Sequence, residues 1–498
     1  MRRRRLGSLL VAVCCGTASC SGSCAGDAAE FDPLFVARAS IGKIVNREAV
    51  VPAMCYTRTD GLSNPCYVCH TDSRLPNAMH DFELQEQYSF SDVARENRWT
   101  NLFADRAPSK TTDAEILEWV RADNYAPLQE AMRGVPADYG AWRPDVDLGA
   151  GFDADGFAKD GSGWRAYRYK PFPGTFWPAS GNVGDAAIRL PEAFRRDAGG
   201  ERSRAIYKAN LAILELAIAR LGVELPETYT GAAASVAVER FLYPAGTEFL
   251  HTVRYLDPDA PDFRARRMKE VRYLKKMRWL DRWAMQRAYE KELDEKDEGV
   301  LPVFTGTPLT GVNNAFGWRL TGFIEDADGR LRLQTDEEHR FCMGCHSNLG
   351  VTVDSTFSFA RKVPGEWRFQ SFEGMPDSPS AGANSPEYLI YFQRVRGGDE
   401  FRSNREILER FFPKGELLEA SVRRAAVGGD RDIRFLILPS RNRALQLDKV
   451  YRELVAEQRF DLGRDTFLTP PRVFRRIREE STGLKAFRDG QLWLDWPE

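Results

Sequence analysis

Two copies of one pentapeptide carry the most specific chemistry in the chain: Cys66-Tyr67-Val68-Cys69-His70 and Cys342-Met343-Gly344-Cys345-His346. In each, two thiols stand about one helical turn apart with an imidazole directly after them. That arrangement lets both sulfurs form thioethers to a haem's vinyl groups while the histidine reaches the iron. The expectation is two covalently bound haem c groups, anchored at Cys66 and Cys69 and at Cys342 and Cys345, with His70 and His346 on the irons. Paired CxxC elements also build structural zinc sites, but those need no histidine directly after each pair, and here the pairs are far apart in sequence. A redox dithiol of the thioredoxin type would open a helix in a βαβ setting, which neither copy shows.

What each iron can do depends on its sixth ligand. Histidine or methionine closes the iron for electron transfer, whereas an open place admits a small molecule. Beyond the motifs the chain holds His80, His251 and His339, and Met375 lies in Gly374-Met375-Pro376. These four are the candidate distal ligands. His251 falls among apolar neighbours on an expected strand, where it reads either as a core residue or as a side chain pointing into a haem pocket. His339 lies three residues before its own motif, so it would serve the other haem if either. Met375 reads as a ligand loop or as a plain turn.

The amino terminus points to export. Met1-Arg2-Arg3-Arg4-Arg5 is cationic, and an apolar stretch too short to span a bilayer begins at Leu6. Residues 1–19 read as a signal peptide. Thr17-Ala18-Ser19-Cys20 looks like a lipobox, with Cys20 as the lipidated residue, although ordinary cleavage nearby and a competing Ser23-Cys24 remain open. Of nine cysteines, Cys14 and Cys15 would leave with the leader. Cys24 and Cys55 are left over, to pair as a disulfide or to stay as thiols. The expected location is an exported protein, periplasmic or anchored in the outer membrane.

Composition bounds the rest. The 498 residues carry a formal charge of −2, and loss of the four leader arginines takes it to −6. Nothing in that balance suggests nucleic acid as a partner. No later apolar run is long enough to span a bilayer, so the expected membrane tie is the lipid alone, and the expected partners are redox proteins of the cell envelope.

Periodicity and turn signals divide the chain into residues 20–145 around the first motif, 146–300 as a middle region, and 301–498 around the second motif with a helical C-terminal part. Thr112 to Glu115 matches a capping box that opens a helix. Residues 145–191 combine Gly, Asp and Pro with aromatics, as expected of ordered irregular loops. A helix is expected over 202–221 and another over 441–458. Strands are expected over 228–256 around a turn at Tyr243 to Gly246, and a hairpin turning at Asp326 to Gly329. Residues 261–297, with eleven Lys or Arg between Arg264 and Lys291, read as one long basic helix, either a solvated face or a docking surface for partners or propionates. The resulting fold class is mainly α with minor β hairpins and extensive irregular loops, with cytochrome c-like haem-binding regions.

On the two motifs, the leader and the lipid site, the chain resembles bacterial di-haem c-type cytochrome lipoproteins of the large, uncharacterised type. That resemblance implies electron transfer in the cell envelope. The alternative is a di-haem redox enzyme, peroxidase- or oxygenase-like, with one open haem. The chain is similar to di-haem peroxidases in haem count, but it is longer and its motifs are more widely spaced.

Overall fold

The computed structural model describes residues 31–58, residue 69, and residues 92–478 apart from 105, 107, 175–176, 220–222, 299–302, 347–351, 358, 378–385, 398 and 427–430. Its centre is a sheet of eight strands: β1 (Arg165–Ala166), β2 (Ala186–Arg189), β3 (Glu248–Leu256), β4 (Arg264–Lys276), β5 (Thr305–Thr307), β6 (Gly311–Asn313), β7 (Trp318–Glu325) and β8 (Leu331–Leu333). The order is β1-β2-β3-β4-β7-β6-β5, with β8 paired to β7, and every pairing is antiparallel.

This sheet overturns the expectation of a mainly α chain, and the cause is visible in β4. Residues 261–297 are not one helix but a 13-residue strand followed by a shorter helix, Arg282–Asp297. Several of the basic residues that suggested a solvated helical face lie on this strand and are buried against partners, while Arg266, Arg278, Arg282, Arg287 and Lys291 are exposed. Lys276 Nζ lies 2.6 Å from Asp354, both side chains fully buried; Arg267 lies 3.2 Å from Glu325 and Arg272 2.8 Å from Glu270. A buried charge is tolerated when it is paired, so charge density alone does not separate an exposed helix from a central strand. Alternation then gives β4 two different faces. Val271 and Tyr273 enter one core, while Leu274 enters the other.

β3 pairs with β2 and β4 rather than folding back on Val236 to Val238, so the expected turn at Tyr243 to Gly246 is not a hairpin. Val236 to Val238 instead flank an isolated bridge between Thr228 and Ala237. The β3–β4 turn contains Asp262 and Phe263, both with positive φ. The β7–β8 hairpin turns where the sequence places it, with Asp326 donating its amide to the Arg330 carbonyl at 2.7 Å and Gly329 left-handed at φ 80°. The sheet takes strands from both sides of residue 300.

Helices cover both faces. The described ones are α1 (Phe35–Ser40), α2 (Asp113–Arg121), α3 (Tyr125–Arg133), α4 (Arg204–Ala219), α5 (Arg282–Asp297), α6 (Asp336–Met343), α7 (Glu387–Val395), α8 (Arg405–Phe411), α9 (Glu419–Ala426), α10 (Arg434–Ile437) and α11 (Arg441–Glu457). α2 opens with the capping box read from Thr112 and Glu115. On one face Leu34, Leu128 and Met132 pack with Val271, Tyr273 and Phe323. On the other, the larger core joins Leu211 and Leu214 of α4, Cys342 and Met343 of α6 and Tyr391 of α7 to Phe249, Leu274 and Leu320 of the sheet. The aromatic loops of 145–191 are ordered by burial, with Trp164, Tyr167 and Trp177 wholly enclosed. Asp153 Oδ1 accepts the amides of Asp155 and Phe157, which makes that acidic segment a turn closed by its own side chain.

Candidate functional site

α6 delivers the second motif. Its N-terminus is fixed by a capping box, with Thr335 Oγ1 accepting from the Glu338 amide and Glu338 accepting from the Thr335 amide, while Arg332 clamps the Glu338 carboxylate through two contacts of 2.9 Å. Cys342 lies in the last turn, and Cys345 and His346 follow directly after the helix. From below, the sheet contributes adjacent positions of three strands. Phe249 pairs with Leu274, Leu274 with Leu320, and His251 with Arg272. Period-2 alternation therefore places His251 and Arg272 on the face that looks at the motif.

Between helix end and sheet lies a cavity of about 980 Å³, its mouth included, walled mainly by Phe172, Phe249, Leu274, Leu320, Phe341 and Phe357. Cys342, Cys345, His346, His251 and Arg272 all line it. The two imidazoles, distant in sequence, thus share one apolar chamber with both thiols.

The state of each imidazole follows from its surroundings. His346 Nδ1 lies 3.3 Å from the Ser355 carbonyl, a contact that a protonated Nδ1 makes, which leaves the lone pair on Nε2. Burial, helped by the Arg272 charge, pushes His346 down to about 4, and the same two causes push His251 down to about 4. Both rings are therefore neutral at physiological pH, the form that ligates a metal. His251 Nδ1 is sealed from solvent and has no hydrogen-bond partner. Burial also pushes the Cys345 thiol up to about 11, which disfavours the thiolate that zinc would need. Among the described residues no three His, Cys, Asp or Glu side chains are gathered for a metal ion.

The other candidates fall elsewhere. His339 is buried with both ring nitrogens engaged: Nε2 accepts the Gly322 amide at 3.0 Å and Nδ1 meets the Thr335 carbonyl at 2.8 Å. Its ring ties α6 to β7 and has no lone pair to offer. Met375 is buried in the larger core and does not line the cavity. Cys20, Cys24, Cys66, His70 and His80 lie outside the described residues. Cys69 is half-buried against the larger core, and Cys55 is half-buried. The aromatic walls, Arg272 and Arg361 carry no motif, and only the tertiary fold reveals them.

Fold and site together define a sheet-centred protein in which a Cys-x-x-Cys-His segment closes over a chamber faced by a second histidine. The chain belongs to a lipoprotein family, whose profile, described as "-like lipoprotein", matches residues 39–424 and 416–494. It is similar to an uncharacterized lipoprotein of Aquifex aeolicus (strain VF5), 34% identical over 496 residues, covering 85% of this chain and 86% of that one. No solved structure matches it. Lipoproteins are exported and membrane-anchored, and family membership gives this chain that character.

Proposed function

We propose that the protein is a di-haem c-type cytochrome lipoprotein that carries electrons in the cell envelope. In this reading Cys342 and Cys345 would hold haem c at the second motif, and His346 and His251 would be the residues that ligate its iron. The observation that carries it is the shared chamber: two neutral imidazoles and two thiols line one apolar cavity. A haem with an imidazole on each side supplies reversible one-electron chemistry from a closed iron.

The protein's own part is positioning. The Ser355 carbonyl fixes the His346 tautomer, the β3–β4 register presents His251, and the phenylalanine walls exclude water. Arg272 places a cation, paired with Glu270, beside the chamber, where it favours the reduced iron. The first motif is read the same way from sequence, with His70 as its ligand and His80 or Met375 as possible partners. Cys20 is the proposed lipid site, and the periplasm or the outer membrane the proposed compartment.

The test uses the purified holoprotein. Pyridine haemochrome absorbance should give two haems per chain, and His251→Ala should convert one iron from six- to five-coordinate and make it bind carbon monoxide. The wild type should leave the second haem unresponsive to carbon monoxide. An immediate wild-type shift would favour a redox enzyme with one open haem, and an unchanged His251→Ala spectrum would remove His251 from the iron.

A further inference from the structure

A second cavity adjoins the first and has the opposite character. It encloses about 740 Å³, mouth included, and shares Arg272 and Phe341 with the proposed haem chamber. Both lie along one ladder of the sheet. His251 pairs with Arg272 and Val253 with Glu270, a step of two residues, or roughly 6.8 Å along the strand. The apolar chamber is served by the first pair and the polar cavity by the second, together with Lys269, Arg464, Asp465, Glu400 and Tyr451.

The residues lining this cavity carry three cations (Lys269, Arg272, Arg464) and three carboxylates (Glu270, Glu400, Asp465). Glu270 serves two guanidiniums, Arg272 at 2.8 Å and Arg464 at 3.1 Å. Glu400 is engaged by Arg443. Lys269 donates only to neutral acceptors, the Gly181 carbonyl at 2.6 Å and Asn182 Oδ1 at 3.1 Å. Because Arg443, which lies outside the lining, already takes up Glu400, Glu270 and Asp465 are the lining carboxylates left to Lys269, Arg272 and Arg464. Among the described residues two donors, the Tyr451 hydroxyl and Arg464 Nε, and one acceptor, Asp465 Oδ2, are buried with no hydrogen-bond partner, Tyr451 and Arg464 being only 4% and 7% exposed. Buried donors without acceptors are costly, and natural sites place an acceptor or a water against them. Burial holds Lys269 down to about 8, against the opposing pull of the Asp448, Glu325 and Glu270 carboxyls.

We propose that this second cavity is an anion-binding compartment for a carboxylate or small oxyanion, held by Arg464, Lys269 and Tyr451 at the edge of the first chamber. Arg464 sets that edge. Its guanidinium carbon stacks 3.7 Å over the Phe341 ring and its Nη2 lies 3.7 Å from Cys342 Sγ, so a bound anion sits beside the motif sulfur. Two sources supply such chemistry: a free anion, or a propionate of the haem itself. The binding site stands on the cavity alone, and only its link to iron rests on the proposed function.

The experiment is calorimetric titration of the holoprotein with inorganic phosphate and with formate, paired with potentiometric titration of the haems. A free-anion site gives saturable one-site binding of at least one probe. Arg464→Gln should then weaken it about tenfold or more, and the gentler Tyr451→Phe less, since hydrogen bonds to charged groups are worth about 1.5–3 kcal/mol. A propionate occupant gives no probe binding but a shifted midpoint potential for one haem in Arg464→Gln, with Tyr451→Phe shifting it in the same direction. Wild type binding neither probe, with both variants folded and at wild-type potentials, overturns the compartment. A protein that lacks haem yet binds phosphate would sink the cytochrome reading and keep the anion site.

Discussion

Gly344, between the two cysteines of the second motif, is required for what passes over it rather than for its own dihedrals. Its φ of −58° and ψ of −32° are ordinary helical values. A Cβ there would stand 1.8 Å from the Val50 carbonyl oxygen, with that residue's carbonyl carbon and Cα behind it. The obstacle is backbone, which cannot rotate away as a side-chain end can. Gly344→Ala should therefore destabilise the protein by about 1–3 kcal/mol, the usual cost of overpacking. It should also push residues 49–51 off the motif, and chemical denaturation against wild type measures the loss. A variant as stable as wild type would show that the Val50 segment yields freely. At this scale the sequence is legible in part. Cysteines and histidines announce themselves by spacing, and His251 can be placed on a strand. That His251 faces His346 depends on β3–β4 register, which no local pattern encodes, and Tyr451 and Arg464 belong to no motif at all.

Between elements, His339 is the pin that joins α6 to β7. Its ring bridges the Gly322 amide and the Thr335 carbonyl, so the helix carrying the motif cannot shift against the sheet without breaking one of those contacts. Burial holds its pKa below the ordinary 6.5. Folded His339 stays neutral while the unfolded chain takes up a proton. Its contribution is thus fully present above about pH 6.5 and is lost as pH falls through the depressed folded value. Glutamine can reproduce both contacts, accepting through Oε1 and donating through Nε2, without titrating. His339→Gln should leave stability near wild type at pH 8 and flatten its decline below pH 6.5, as followed by denaturant midpoints across that range. An unchanged acid slope would assign the sensitivity to other buried groups. The capping boxes, the long helices α4 and α11 and the β7–β8 turn were readable because their signals are local. β4 was not, because its lysines and arginines satisfy their charges with Asp354, Glu325 and Glu270, partners distant in sequence or hidden by the strand's own pleat.

For the whole molecule, membrane attachment is a property the chain takes from its family. No helix among the described residues is long and apolar enough to cross a bilayer, and the sheet is covered by core on both faces. The chain nevertheless belongs to a lipoprotein family. Lipid at Cys20 would supply the hold, since each buried methylene adds about 0.8 kcal/mol and two chains anchor where one is marginal. Phe35 and Val45, 69% and 74% exposed, are apolar surface that a lipid tether at Cys20 would bring toward the headgroups. Cys20→Ala should therefore move the protein from the membrane pellet to the soluble fraction, with the fold intact. Retention in the pellet after a high-salt wash, which screens any electrostatic adhesion, would move the anchor away from Cys20. If a further Phe35→Ser, Val45→Ser pair then released the protein, the exposed apolar surface would be the seat of attachment.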